Sequence, residues 1–271
     1  MNLTEFLKRT ELHNSTISIL KLVQDRTNKE TEFIYDSKLT VNAAVKVARS
    51  YMDRHIIFFN NTKDGTINHL IAHECGHILR FYSVIPERRV IPFTTIQSFQ
   101  VAKSDLERKS QAILKQFPPD VKQKIFSSWI VGFIRQLTNL PVDYYIEAWL
   151  FNEYPELREF QVSSINGMYL PAAHGLDPKI KKMVPDFIYN GSNAMNYAYF
   201  KKLDRLMGTD YFTVYKKFPD KNSGEKLFNL INDCDGGFES DITTINNWAD
   251  ELKVSTWFSW IPFDKTPEST I

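Results

Sequence analysis

The 271-residue sequence predicts a mainly α-helical α+β fold with a small N-terminal β-sheet. Three observations carry that expectation. Short β-branched and aromatic runs fall within the first 65 or so residues. Beyond residue 92 the apolar residues recur almost wholly at helical spacing. Glycines and prolines then cut the later chain into segments of helix length. Taken in order, Leu3, Phe6, Leu7, Ile17 and Leu20 suggest an N-terminal helical element, and residues 32–35 a short strand. Residues 39–52 place Leu39, Val41, Ala44, Val45, Ala48 and Tyr51 at helical spacing. Residues 55–59 (His-Ile-Ile-Phe-Phe) read as a strand, closed by the turn chemistry of residues 60–65. A helix follows to about Tyr82, with Thr66 as a suitable N-cap. Residues 94–117 predict one long charged helix, Pro118-Pro119 the opening of another, and Pro141 the start or kink of a third. A soft boundary is expected near residues 171–178. It divides a first domain over 1–170 from a helical C-terminal subdomain over 171–271, unless the two form one domain.

Composition excludes several classes. Hydrophobic residues make up 43% and charged residues 24%, as in packed globular chains rather than disordered ones. Lys plus Arg number 33 and Asp plus Glu 32, a balance unlike that of a nucleic-acid or anionic-lipid surface. Cys75 and Cys234 are too few for a secreted disulfide framework. The charged N-terminal residues do not resemble a secretory signal, and the apolar run 125–137 is too short for a membrane span of roughly 20 residues. A cytoplasmic protein with no nucleic-acid or membrane partner is expected.

The chemistry concentrates at His73-Glu74-Cys75-Gly76-His77. Histidines four residues apart lie about 40° apart around a helix, so both imidazoles can meet one metal ion. Glu74, about 100° from His73, is placed to reach a metal-activated water without being a ligand itself. On the same wheel Ile67, Ile71, Cys75, Ile78, Leu79 and Tyr82 form the opposite, anchoring face, which turns Cys75 away from the metal side. Gly76 costs a helix about 1 kcal/mol relative to alanine, which suggests a close approach by another backbone or a substrate. His69, one further turn back, reads as a partly exposed histidine.

A catalytic zinc takes three protein ligands and an open position. Asp143 and Glu147 share one helix face in an aromatic and aliphatic stretch, where a carboxylate is costly unless it has a partner. Either could be the ligand while the other orients a ligand histidine. The greater reach of Glu147 tips the choice towards it. Tyr144, Tyr145 and His174 are conceivable oxyanion donors, with the two tyrosines read first as packing residues and His174 as a loop histidine. The strand 55–59 is either a sheet edge open to an extended peptide or an ordinary core strand.

With His73-Glu74-Cys75-Gly76-His77 and a downstream acidic helix, the chain resembles the zincin superfamily of zinc metallopeptidases. A glutamate third ligand would make it gluzincin-like. The pattern Asn139, Asp143, Glu147 is similar to predicted bacterial and phage metallopeptidases. The resemblance covers about residues 30–155 and implies a Zn2+ cofactor, His73 and His77 as ligands, Glu74 as catalytic base, and a peptide or protein substrate. The competing expectation is a non-catalytic binding or regulatory protein that keeps the scaffold with a structural metal. The acidic run 233–241 misses the calcium-loop spacing, and the lysines at 179–182 and 216–217 read as solvated faces. Trp257, Phe258 and Trp260 are expected to pack the C-terminal region onto the body.

Overall fold

The computed structural model describes residues 1–60, 65–115, 117–232 and 235–266. The expected turn at residues 61–64 and Cys234 lie outside them. The protein is mostly helical, 68%, with a small sheet of a few strands, as the α+β expectation has it. Its elements are α1 (Leu3–Leu7), α2 (Asn14–Thr27), β1 (Glu30–Tyr35), β2 (Ala43–Lys46), β3 (Arg54–Phe59), α3 (Thr66–Tyr82), β4 (Val90–Phe93), α4 (Ile96–Lys109), α5 (Gln111–Leu114), α6 (Pro119–Glu153), α7 (Arg158–His174), α8 (Pro178–Met183), α9 (Asp186–Met207), α10 (Lys221–Leu230), α11 (Phe238–Glu251) and β5 (Ser259–Pro262). Among the described residues, no helix is long and apolar enough to cross a membrane.

Contacts divide the chain into two compact units that interleave along the sequence. The first comprises residues 1–90, 145–167 and 262–271; the second comprises 91–144 and 168–261. The physical cause is helix length. Both α6 and α7 run on past the prolines that the sequence reading used as punctuation, Pro141 and Pro171. Proline removes one backbone hydrogen bond from a helix interior. Burial of Leu137, Tyr145 and Ile146 on the turns around Pro141 offsets that loss.

In the first unit, β1, β3 and β2 form a mixed sheet in that order. β3 pairs parallel with β1 (Phe33 opposite Ile57) and antiparallel with β2 (Val45 opposite Ile57). The helix expected over 39–52 is therefore replaced by a strand and turns. Four residues of Ala-Ala-Val-Lys have no strong period of their own, and pairing with β3 decides their conformation. β3 is the central strand, so it is not the sheet edge that residues 55–59 were considered for. Phe33, Ile57 and Phe59 are buried beneath it, and Phe6 of α1 stacks on Phe33 at 4.3 Å. Helix α3 packs on α2 and β2. Asn68 of α3 accepts from the His13 backbone N–H (2.6 Å) and the Thr16 hydroxyl (3.2 Å), which pins the start of α2 to the start of α3. Thr66 is the first helical residue and Gly65 stands at the N-cap, so the cap position is one residue before the threonine expected there.

The second unit is built from aromatic packing. Helix α9 buries Ala194, Met195, Tyr197, Ala198, Tyr199, Phe200 and Leu203. It ends at Gly208, whose φ of 71° is the left-handed conformation that glycine adopts without strain. Asp204 then accepts from the backbone N–H groups of Tyr211 (2.9 Å) and Phe212 (2.8 Å), starting the 3-10 turn Tyr211–Lys217. Trp257 is fully buried against Phe133 and Phe187, and its indole donates to Asp105 at 3.2 Å. The expected packing role of this tryptophan is what the structure has. Two expectations fail here. The long helix over 94–117 breaks at Ser110 into α4 and α5, and a second, two-stranded sheet of β4 and β5 lies outside the first 65 residues.

His55 is a buried pH-sensitive link in the first sheet. Its Nδ1 accepts from the Ala48 N–H at 3.0 Å and its Nε2 meets the Thr27 hydroxyl at 3.2 Å, so the neutral Nε2–H tautomer satisfies both. Burial, followed by the nearby charges of Lys29 and Arg89, pushes its pKa down to about 4. The unfolded chain takes up this proton near pH 6.5 and the folded one only near 4, so stability falls as pH drops through that window. The loss should approach roughly 3 kcal/mol. Urea melts between pH 7 and 4.5 should show it, with a shallower slope in His55→Gln between pH 6.5 and 5; equal slopes would refute the assignment.

Candidate metal centre

Helix α3 sets the site because its two faces have different partners. Ile67, Ile71, Cys75 and Ile78 are at most 2% exposed, as the helical wheel requires, whereas Leu79 and Tyr82 of the expected anchoring face are only half-buried; His73 and His77 are half-buried on the other side. Burial, and then the charge of Glu74, raise the pKa of the Cys75 thiol, which is therefore no thiolate ligand. The rings of His73 and His77 meet edge to face with centroids 4.9 Å apart, and their Nε2 atoms lie 3.2 Å from each other.

Helix α6 approaches α3 where Gly76 has no side chain. A Cβ built there would lie 2.5 Å from Cγ2 and 3.1 Å from Cγ1 of Ile146, the residue before Glu147. The close approach expected of Gly76 is thus by a side chain of the neighbouring helix. Arg80 of α3 lies over the ring of Tyr145 at 5.1 Å on the same seam.

This approach delivers the Glu147 carboxylate to the histidine face. Glu147 is 0% exposed, and both of its oxygens are hydrogen-bonded. His73 Nδ1 lies 2.8 Å from Oε1, and His69 Nε2 lies 3.1 and 2.9 Å from Oε1 and Oε2. Gln161 of α7 donates its amide to Oε2 (2.5 Å) and to the Glu147 carbonyl (2.9 Å). Burial by itself would raise the carboxyl pKa. The charge and hydrogen bond of His69, then the hydrogen bond and charge of His73, outweigh it and hold the group well below the usual carboxylate range. His69 is 1% exposed, so its reading as a partly exposed histidine is overturned. The signal for it was present in the sequence, since His69 shares a face with His73. Gln161 carried no such signal, because it reaches the site through the packing of α7 alone.

Among the described residues, two sets of side chains can present donor atoms within 4.8 Å of one another: His69, His73 and Glu147, and His73, His77 and Asp143. Helix α6 continues unbroken from Glu147 back to Asp143, one turn away, so both carboxylates ride on one helical rod. The distances within the sets differ in kind. Separations of 2.8–2.9 Å between Glu147 and the imidazoles are charge-assisted hydrogen-bond lengths. The 3.2 Å between His73 and His77 Nε2 is close to the ~3.3 Å spanned by two nitrogens at ~2.05 Å from a tetrahedral zinc. Glu74 is 8% exposed and follows His73 on α3. Tyr144 is buried beneath the ammonium of Lys202, 5.8 Å from its ring, in keeping with a packing role. His174 is the exposed last residue of α7 and belongs to neither donor set; it ends a helix and is not the loop histidine expected.

Gly76→Ala adds a methyl group against Ile146, which is 1% exposed and has no room to yield. Overpacking should outweigh the gain in helix propensity and destabilise the protein by about 1–3 kcal/mol. Combined with Ile146→Ala, the two losses should be less than additive in denaturant melts; strict additivity would show that the helices do not meet there. Comparisons with protein-family models, with curated proteins and with solved structures found no match to this chain.

Proposed function

We propose that the protein is a zinc-dependent metallopeptidase of the zincin type, with His73, His77 and Asp143 as the metal ligands. The observation that carries the reading is the pair of Nε2 atoms 3.2 Å apart, with a carboxylate oxygen of Asp143 in the same donor set. Glu147 then serves as the buried acceptor for His73 Nδ1–H, a carboxylate–histidine–metal arrangement that fixes ring orientation and raises ligand basicity. This reverses the preference for Glu147 as ligand. Its reach is used by His69, His73 and Gln161, and the shorter Asp143 on the preceding turn is left to face the pair. Two carboxylates and two neutral imidazoles also balance the charge of a divalent cation, which favours its burial.

Zinc held in this way would supply a Lewis acid and lower the pKa of a water towards ~7. The other roles belong to the chain. Glu74 takes the proton of the attacking water on its carboxylate and returns it to the leaving amine. Strand β2 is the antiparallel edge of the sheet beside α3 and suits an extended peptide. It is tethered at both ends: Asn60 donates to the Val41 carbonyl (2.8 Å) before it, and the Tyr82 hydroxyl to the Ala48 carbonyl (2.9 Å) after it.

Elemental analysis of the purified protein and hydrolysis of a quenched fluorescent peptide library test the reading together. One zinc per chain and chelator-sensitive cleavage are expected; absence of stoichiometric metal would sink it. Glu74→Gln should keep the metal and lose about 10²–10⁴-fold in turnover. His73→Ala should lose metal and turnover alike. Asp143→Asn should release the metal, whereas Glu147→Gln should weaken it about 10–100-fold. The opposite order would exchange the roles of the two carboxylates.

A further inference from the structure

Helix α3 carries a third histidine on the metal-facing side, and the proposed chemistry does not use it. His69 lies one turn before His73, is 1% exposed, and directs Nε2 at both oxygens of Glu147. Its other nitrogen, Nδ1, is buried and finds no hydrogen-bond partner among the described residues. A buried polar atom without a partner is costly, and an apolar side chain at position 69 would avoid that cost. Besides a tilted ring contact with His73 at 5.8 Å, the polar contact that the His69 ring makes is with Glu147. Gln161 holds the same carboxylate from α7, through Oε2 and through the Glu147 carbonyl.

A glutamate side chain has three torsions, and one hydrogen bond to His73 would leave its carboxylate free to swing. Donors from two further directions remove that freedom. The orientation matters because the Nδ1–H···Oε1 bond at 2.8 Å determines which nitrogen of His73 carries the proton. With Oε1 in place, Nδ1 is the protonated nitrogen and Nε2 presents its lone pair towards His77. With Oε1 turned away, an imidazole populates both tautomers, and one of them directs an N–H at the metal position.

We propose that His69 is a positioning residue which, with Gln161, clamps the Glu147 carboxylate and thereby locks His73 in the Nδ1–H tautomer that a metal at Nε2 requires. The link to metal rests on the peptidase reading; the tautomer lock does not.

The test uses wild type, His69→Leu, His69→Gln and Gln161→Leu. A glutamine at 69 can present its amide Nε2 where the imidazole Nε2 stands, so it is the rescuing variant. Proton–nitrogen correlation spectra of labelled histidines in the metal-free proteins, recorded at alkaline pH so that a neutral ring is observed, read the His73 tautomer. Wild type and His69→Gln should show Nδ1–H alone, and His69→Leu a mixture. Zinc affinity, measured by competition with a chromophoric chelator, should fall about 10–100-fold in His69→Leu and recover to within a few-fold in His69→Gln. Gln161→Leu should shift both readouts in the same direction by a smaller amount, and it decides the matter if His69→Leu does not fold. An unchanged tautomer in His69→Leu or Gln161→Leu would overturn the proposal. So would a tautomer and an affinity that change together but are not restored by glutamine, which would make His69 a packing residue. If wild type binds no zinc, the peptidase reading fails while the tautomer measurement still decides on the clamp.

Discussion

The buried carboxylate of Glu147 is the constraint around which the first unit is arranged. An ion with no solvent contact must have its charge met by donors, and here those donors come from two helices: His69 and His73 on α3 and Gln161 on α7. The carboxylate itself is on α6. Three helices are thus held in register by one group, and any slip of α6 along α3 would strand an anion in an apolar seam. Gly76 permits this arrangement by letting the Ile146 side chain occupy the space that a Cβ would take. The contact between the helices and the polarity of the site are one structural decision.

Around that seam, the sheet and the start of α2 hold α3 in position. Asn68, His55 and Tyr82 each hydrogen-bond a backbone group of another segment, so the two ends of α3 and the strand beside it are tied by polar contacts within an otherwise apolar packing. The loop end near Phe263 adds an edge-to-face contact with Phe81 at 4.6 Å. A rigid support is what a pair of imidazoles needs if it is to hold a metal ion, because binding geometry tolerates errors of only a fraction of an ångström.

The second unit has a different character. It is filled by aromatic side chains from α9, the 3-10 turn after it and the Trp257 region, and Asp204, through Tyr211 and Phe212, joins the end of α9 to that turn. No buried carboxylate with two imidazoles is found among its described residues. Among the described residues, the side chains that could hold a metal ion lie on α3 and on the length of α6 from Asp143 to Glu147.

Local periodicity was sufficient for α3. Its span, the buried Ile67, Ile71, Cys75 and Ile78 and the shared face of His73 and His77 follow from side chains repeating every 3.6 residues, a property of the sequence alone. The acidic pair at Asp143 and Glu147 was also legible, because two carboxylates among aromatic residues require partners. Their division of labour was not, since it depends on which helical turn of α6 faces which turn of α3. The same holds for His69 and Gln161, whose roles exist only once α6 and α7 lie against the histidine face. The strand at residues 43–46, the passage of α6 through Pro141 and the break at Ser110 were likewise settled by pairing and burial, which outweigh the weak local preferences of those segments. What residue types and spacing determined was where metal chemistry is possible; which atom takes which part was decided by distances between helices far apart in the chain.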